Sequence, residues 1–568
     1  MVQFRRLTAP VLLLTLTACA SQGSARFTAG VPSVVAGGSP YGLFLAGQSA
    51  IDNGDGSEAA GFFQRAMDAG GGADAPFLRA HTFGAELLAG DVDGALAIAP
   101  IEDPDVGVRQ LAELTVAVAA MAKGQGAKAR SALFALSAAG PPPSAARLLA
   151  PFAALQSGDA EEAISLPVID GDPVAAFFAS IDQGLIFERL GRFDEAETTF
   201  RALIARGDPG GLASLDLGRF LERRGRDGDA VAIYDQALDK RPLDSELLEG
   251  RSRAASHGQP PAAPSLLEAA ANALTADASA EIVRKRDEAA LSLLRLALHL
   301  DPHRAAAWLM VGDILSRVGD VTGAQTAWQA PNPGTPDYVA ARTKLAWSYQ
   351  EEGRKDDALA AARATLAAQS DSKEAATTLA DLLRADKRYE ESTAVLDRLI
   401  ATEGENPDWR LLYMRAVDYQ EDDRWPLAER DLTLALKQRP NEPELLNFLG
   451  YSWIDRGENL RRALAMVQQA VDADPSSGAM MDSLGWGYYR LGDYKTAVAK
   501  LEEAVSLDAG DPDVNNHLGD AYWRVGRRVE ARYQWNRVLT LDPDPKLKAQ
   551  VEAKLRDGLD SSAPLRGS

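Results

Sequence analysis

The sequence predicts an all-α fold, a solenoid of helical hairpins stacked along the chain. Two observations point there first. A small residue returns every 33 to 36 positions along nearly the whole length. Alanine and leucine run throughout, while β-branched residues are not gathered into short alternating stretches, which favours helix over strand. A third observation is size: 568 residues are too many for one compact core, so a repeat array or several domains are required.

The clearest unit lies near the C-terminus. Leu484-Gly485, Tyr488, Ala497, Leu501 and Ala504 recur 34 residues later as Leu518-Gly519, Tyr522, Ala531, Trp535 and Val538, closed by Pro543. One unit upstream, Leu449-Gly450, Trp453, Ala463, Val467, Ala470 and Pro475 fit after a one-residue insertion near Asn459. A small residue on each helix of a pair allows close approach, large flanking residues fill the gaps, and proline ends the second helix. This spacing resembles the tetratricopeptide (TPR) motif. The resemblance implies a superhelical array of helix-turn-helix units, each leaving an apolar face for the next to bury.

Following the small residue of the second helix gives Ala59, Ala95, Ala129, Ala163, Ala196, Ala230, Ala290, Ala324, Ala358, Ser392, Ala428, Ala463, Ala497 and Ala531. That is about 14 repeats. The step from Ala230 to Ala290 is 60 residues and contains Gly258-Gln259-Pro260-Pro261-Ala262-Ala263-Pro264, which stops a helix. An irregular break is therefore expected near 243–280, with an N-terminal block over 41–256, a proline-rich break at 257–264 and a C-terminal block over 265–545. Residues 546–558 read as a polar helix covering the last repeat, and the remainder to 568 as a loose tail.

The N-terminus reads as an address. Arg5 and Arg6 precede an apolar run from Leu7 to Ala18, too short for a stable membrane helix. Leu16-Thr17-Ala18-Cys19 resembles the lipobox of bacterial lipoproteins, which implies a signal peptide over 1–18 and lipidation of Cys19, the one cysteine. Acyl chains on that residue give stable anchoring. Ala20 rather than Asp follows, which by resemblance to the lipoprotein sorting rule implies the outer membrane, with the protein facing the periplasm. Residues 19–40 form a flexible tether.

Composition narrows the partners. The formal charge is −21, which repels phosphate backbones and excludes nucleic acid as the expected ligand. A lone cysteine leaves no intrachain disulfide and no Cys-rich metal site. No cofactor or metal motif is present. Gly124-Gln125-Gly126-Ala127-Lys128 lacks the strand and the Lys-Ser/Thr ending of a phosphate loop, and reads as a turn between two helices. For chemistry, the best constellation is Asp513, Asn516, His517 and Asp520, in which His517 and Asp520 are spaced to pair on one helix face. No catalytic residue is assigned, because an open groove lacks the dry pocket such chemistry needs.

A partner is expected on the inner groove. All nine tryptophans and eleven of thirteen tyrosines follow residue 300. Trp308, Trp328, Trp453 and Trp535 occupy packing positions. In TPR arrays the groove is lined by the first helix of each pair, one and four residues past the small position and two or three before it. Those places hold Trp347; Asn447, Phe448 and Tyr451; Asp482, Trp486 and Tyr489; and Asn516, His517, Asp520 and Trp523, with Arg490 and Arg524 beside them. Aromatics with arginine and amides are the stuff of binding hot spots.

The stretches Asp482-Ser483-Leu484-Gly485-Trp486-Gly487-Tyr488-Tyr489-Arg490 and Asn516-His517-Leu518-Gly519-Asp520-Ala521-Tyr522-Trp523-Arg524 resemble a set of TPR lipoproteins of the Gram-negative envelope. The resemblance covers roughly 440–545 and implies a non-enzymatic adaptor that holds a periplasmic carboxyl-terminal-processing protease and presents its clients. Two alternatives stay open on the sequence: an assembly factor for surface polysaccharide or pilus export, and a weak envelope hydrolase acting through His517 and Asp520.

Overall fold

The computed structural model describes residues 38–70, 75–103, 105–139, 143–165, 167, 169, 172–242 and 244–559. Cys19, the signal segment and the tail after Leu559 lie outside them. Among the described residues there are thirty α-helices, one 3₁₀ turn and no strand. The helices form fourteen hairpins, one lone helix at Ser245–Ala255 and a terminal helix at Pro545–Asp557. No described helix is long and apolar enough to cross a membrane.

The repeating small residues are where the helices meet. All fourteen, from Ala59 to Ala531 and including Ser392, are at most 1% exposed. Four residues further on, a large side chain takes the space of a missing Cβ on the first helix. A Cβ on Gly218 would lie 2.3 Å from the Tyr234 ring, and one on Gly312 would lie 2.3 Å from the Trp328 indole. The same relation joins Gly47 to Phe63, Gly184 to Phe200, Gly485 to Leu501 and Gly519 to Trp535. Glycine is needed here for close approach, since the ring fills the volume any other residue would occupy. Ser392 replaces alanine because its hydroxyl, 3.0 Å from the Ala380 carbonyl and 2.5 Å from the Asp418 carboxylate, joins a buried network with Arg384.

A second regularity was not read from the sequence. Five residues before the small residue, the turn inside each hairpin passes through the left-handed region. Glycine holds that place in most repeats, with φ of +70 at Gly225 to +95 at Gly319. Lys285, Lys387 and Asp423 hold it at φ of 59, 60 and 56. In the repeat with the one-residue insertion, Gly457 and Asn459 both turn left-handed, at φ of 76 and 46. Gly124, at φ 72, closes the turn between Val106–Ala122 and Gly126–Ala139, in keeping with its reading as a turn rather than a phosphate loop.

The described residues separate into two compact units, one up to Ala375 and one from Ala376. The sequence placed the division at the proline-rich stretch 257–264 instead. That stretch does break the regular repeat: the lone helix Ser245–Ala255 has no second helix, residues 256–264 carry none, and Ser265 then starts a new hairpin through a capping box with Glu268. The hairpin that follows, Leu266–Val283 and Asp287–Leu300, turns back onto the N-terminal repeats. Leu266–Val283 packs on Ser144–Gln156 and Pro173–Arg189, while Asp287–Leu300 packs on Ala75–Ala89 and Val106–Ala122. Those four are the first helices of successive hairpins, so their inner face is filled by the chain itself.

The composition of the hairpin explains this. Eleven of the 18 residues in Leu266–Val283 are buried, on every side of the helix, with Leu274, Ala270, Ala271 and Ala278 inaccessible. A helix apolar all round must be surrounded. Polar ties fix the register: Arg284 donates to the Asp172 carboxylate at 2.8 Å, and Arg295 donates to the Leu88 carbonyl at 3.1 Å. Asp172 also caps Pro173–Arg189 by accepting from the Ala175 amide at 3.0 Å.

Candidate partner-binding face

In the C-terminal unit the inner face is built by Trp409–Glu421, Pro443–Arg456, Gly478–Arg490 and Pro512–Arg524, the first helices of consecutive pairs. Gly450, Gly485 and Gly519 sit against the second helix, and Asn447, Tyr451, Asp482, Trp486, Asp513 and Asp520 lie to one side of that contact. Most are buried all the same: Asn447, Phe448, Tyr451, Asp482, Tyr489, Asn516, His517 and Asp520 are each under a tenth exposed, while Trp486, Arg490, Trp523 and Arg524 are partly exposed. The face is a packed polar layer with an aromatic spine, more closed than the sequence reading supposed.

At its centre is His517. The i, i+3 pair expected with Asp520 does not form. The His517 Nδ1 lies 2.9 Å from Asp482 Oδ2 instead, one repeat upstream, because first helices of neighbouring repeats stand side by side. Burial alone would lower the imidazole pKa, but the Asp482 carboxylate, with Asp513 and Asp520 behind it, outweighs burial and raises it to about 9. The ring is therefore an imidazolium at neutral pH and a poor general base. The Trp486 indole stacks on it with centroids 4.2 Å apart, and Tyr489 stacks on Trp486 at 4.5 Å.

Asp520 belongs to the end of the array. It accepts from Lys554 at 2.7 Å and from the Trp535 indole at 3.0 Å, and Lys554 also donates to Asn516 at 2.7 Å. Lys554 lies on the terminal helix Pro545–Asp557, close to the polar covering helix expected at 546–558. Gly558 rests against Trp523, which also contacts Trp535 with centroids 5.2 Å apart. Asn516, Asp520 and Trp523, expected to meet a partner, are thus engaged by the protein's own last helix. Arg524 donates to the Tyr489 hydroxyl at 3.2 Å. Trp347 lies on Tyr338–Glu351 in the N-terminal unit, partly buried, and is not part of this face.

What the sequence missed is the pattern of unmet polar atoms. Gln420 Oε1, Asn447 Oδ1, Trp486 Nε1 and Arg490 Nε are buried and have no hydrogen-bond partner among the described residues. Each lies on a first helix of this unit. Arg490 spends its Nη1 on the Asp455 carbonyl at 2.6 Å, which leaves Nε free. Burial pushes the Asp513 carboxyl up to about 6, partly offset by the charge of His517. No trio of His, Cys, Asp or Glu among the described residues is placed to hold a metal ion.

Models of the tetratricopeptide repeat match residues 181–245, 343–407 and 413–478, and a TPR repeat model matches 487–526. The TPR repeat-containing protein PA4667 of Pseudomonas aeruginosa is 32% identical over 85 residues, which are 15% of this chain and 14% of that protein. Among solved structures, a tetratricopeptide repeat protein from Parabacteroides merdae is matched with a TM-score of 0.38 at 15% identity, over 44% of this chain and 97% of that one. The APC/C hetero-tetramer Cut9-Hcn1 is matched with a TM-score of 0.37 at 15% identity, over 91% of this chain and 96% of that one. Hairpin spacing, buried small residues and family matches agree: the protein has the all-α fold of a tetratricopeptide-repeat solenoid, with the repeat matched over 181–245, 343–407, 413–478 and 487–526.

Proposed function

We propose that this chain is a lipid-anchored, periplasm-facing scaffold that binds proteins through the inner face of its C-terminal unit and catalyses no reaction itself. The observation that carries the reading is the row of unmet polar atoms beside the Tyr489–Trp486–His517 stack. Orphaned donors and acceptors each cost about 1–3 kcal/mol, a cost that a docked chain relieves. Stacked aromatics with arginine supply the anchor.

The resemblance of residues 440–545 to envelope adaptor lipoproteins makes a carboxyl-terminal-processing protease the partner we propose, with its clients presented alongside. The N-terminal repeats, whose inner face is filled by their own hairpin, then serve as a spacer from the Cys19 anchor. Crosslinking in intact cells followed by affinity purification of the detergent-solubilised full chain tests this. Recovery of a processing protease, lost on substitution of Trp486, is the expected outcome. Recovery of polysaccharide- or pilus-export components in its place would overturn the protease assignment, and recovery of no specific protein would overturn the scaffold reading.

A further inference from the structure

Asp455, Asp482, Asp513 and Asp520 are among the carboxylates that the last three first helices of the C-terminal unit carry. Three have a cation: Asp482 pairs with His517 at 2.9 Å, Asp520 with Lys554 at 2.7 Å, and Asp455 stands 3.8 Å from Arg490. Asp513 has none within ion-pair distance, and its side chain makes no hydrogen bond among the described residues. It is only partly buried, at the mouth of the layer, where Tyr451 and His517 feel its charge. Asn447 stands one turn before Tyr451 on the same helix and face. Asn447 is 6% exposed, and its Oδ1 has no partner. Trp486 Nε1 and Arg490 Nε are two unmatched donors on the neighbouring helix.

We propose that this face binds an extended, basic segment of another protein, seating an arginine or lysine on the Asp513 carboxylate and pairing the segment's main chain with Asn447, Trp486 and Arg490. The inference rests on the peptide-binding reading above and adds the chemistry of the occupant. One acceptor and two donors suit an extended backbone, which offers an amide and carbonyls in alternation. A cation beside a half-buried carboxylate forms a charge-assisted hydrogen bond in a site of reduced dielectric. An acidic segment would set its charge against the unpaired Asp513 and be repelled. Trp486 is itself partly exposed, which places its indole at the surface of this face.

The probe is a display library of short random linear peptides, selected on the detergent-solubilised full chain. Enriched sequences should share arginine or lysine at one recurrent position. A synthetic peptide from that set should bind Asp513→Asn about tenfold more weakly than wild type. Replacing its cation by norleucine should cost wild type the same factor and cost Asp513→Asn nothing further, because the two changes remove one interaction. Asp513→Glu should restore most of the binding. Should Asp513→Asn fail to fold by circular dichroism, the norleucine peptide on wild type carries the test alone. Enriched peptides without a cation, or equal binding to Asp513→Asn, would overturn the basic-segment inference and leave peptide binding standing. No enriched sequence at all would sink both.

Discussion

The two compact units use the same hairpin and treat its inner face in opposite ways. In the N-terminal unit that face is filled by Leu266–Val283 and Asp287–Leu300, with Leu274 and Ala278 inaccessible and the unmet carboxyl oxygens of Asp182 and Asp277 enclosed among them. In the C-terminal unit it is a layer of paired charges, stacked rings and unmet polar atoms, closed only at the end by Lys554. The contrast teaches that a repeat fixes how neighbours stack and leaves the use of the inner face to a few residues. An apolar helix turns the trough into core, while Asp, His and Trp at the same places leave a polar, aromatic layer.

The largest effect should fall on the C-terminal layer. His517→Ala removes the cation from buried Asp482 and should cost that unit about 3–5 kcal/mol, since an uncompensated buried charge remains. Hydrogen exchange should quicken in Gly478–Arg490 and Pro512–Arg524, and no change is expected in Ala75–Ala89. Leu274→Ala is the counterpart. It opens a cavity in the N-terminal core and should cost about 2–5 kcal/mol there, with faster exchange in the helices packed around it. If instead Leu274→Ala left exchange unaltered, the hairpin would be a loosely held cover and the contrast would fail.

A pH series sharpens the comparison. The folded-state pKa of His517 is raised from 6.5 to about 9, so its stabilisation is fully present below about 6.5 and is lost as pH rises through about 9. The Asp513 carboxyl is also raised, from 3.8 to about 6, so its contribution is present below about 3.8 and is lost as pH rises through about 6. Both run the same way in separate windows: the C-terminal unit should weaken between pH 3.8 and about 6 through Asp513 and again between pH 6.5 and about 9 through His517. His517→Asn should abolish that second slope in a thermal melt series, and an unchanged slope would show that another group titrates. The smallest effect concerns the shared turn. Lys387→Gly should stabilise the C-terminal unit by about 1 kcal/mol by relieving the left-handed residue at φ 60, seen as a raised melting temperature.

Much of this was legible in the sequence. The register from Ala59 to Ala531 marked the fourteen hairpins, since a helix crossing demands a small residue. The break before Ala290 was legible from its prolines. The return of 266–300 onto the N-terminal repeats was not: periodicity finds an apolar helix but does not say which surface surrounds it, and its ties to Asp172 and Leu88 are 112 and 207 residues away in sequence. At the candidate site, the first-helix positions were found by register, yet the His517 partner was sought on its own helix. Counting one repeat back to Asp482 would have found it. The unmet atoms of Asn447, Trp486 and Arg490 depend on side-chain packing and leave no trace in a sequence.

Hydrogen exchange on the full chain, with and without a basic peptide selected on it, tests the central contrast most directly. The account predicts slowed exchange confined to Pro443–Arg456, Gly478–Arg490 and Pro512–Arg524, with Ser144–Gln156, Pro173–Arg189 and Leu266–Val283 already slow and unchanged. Protection appearing in those last three helices, with the C-terminal face unaffected, would contradict it.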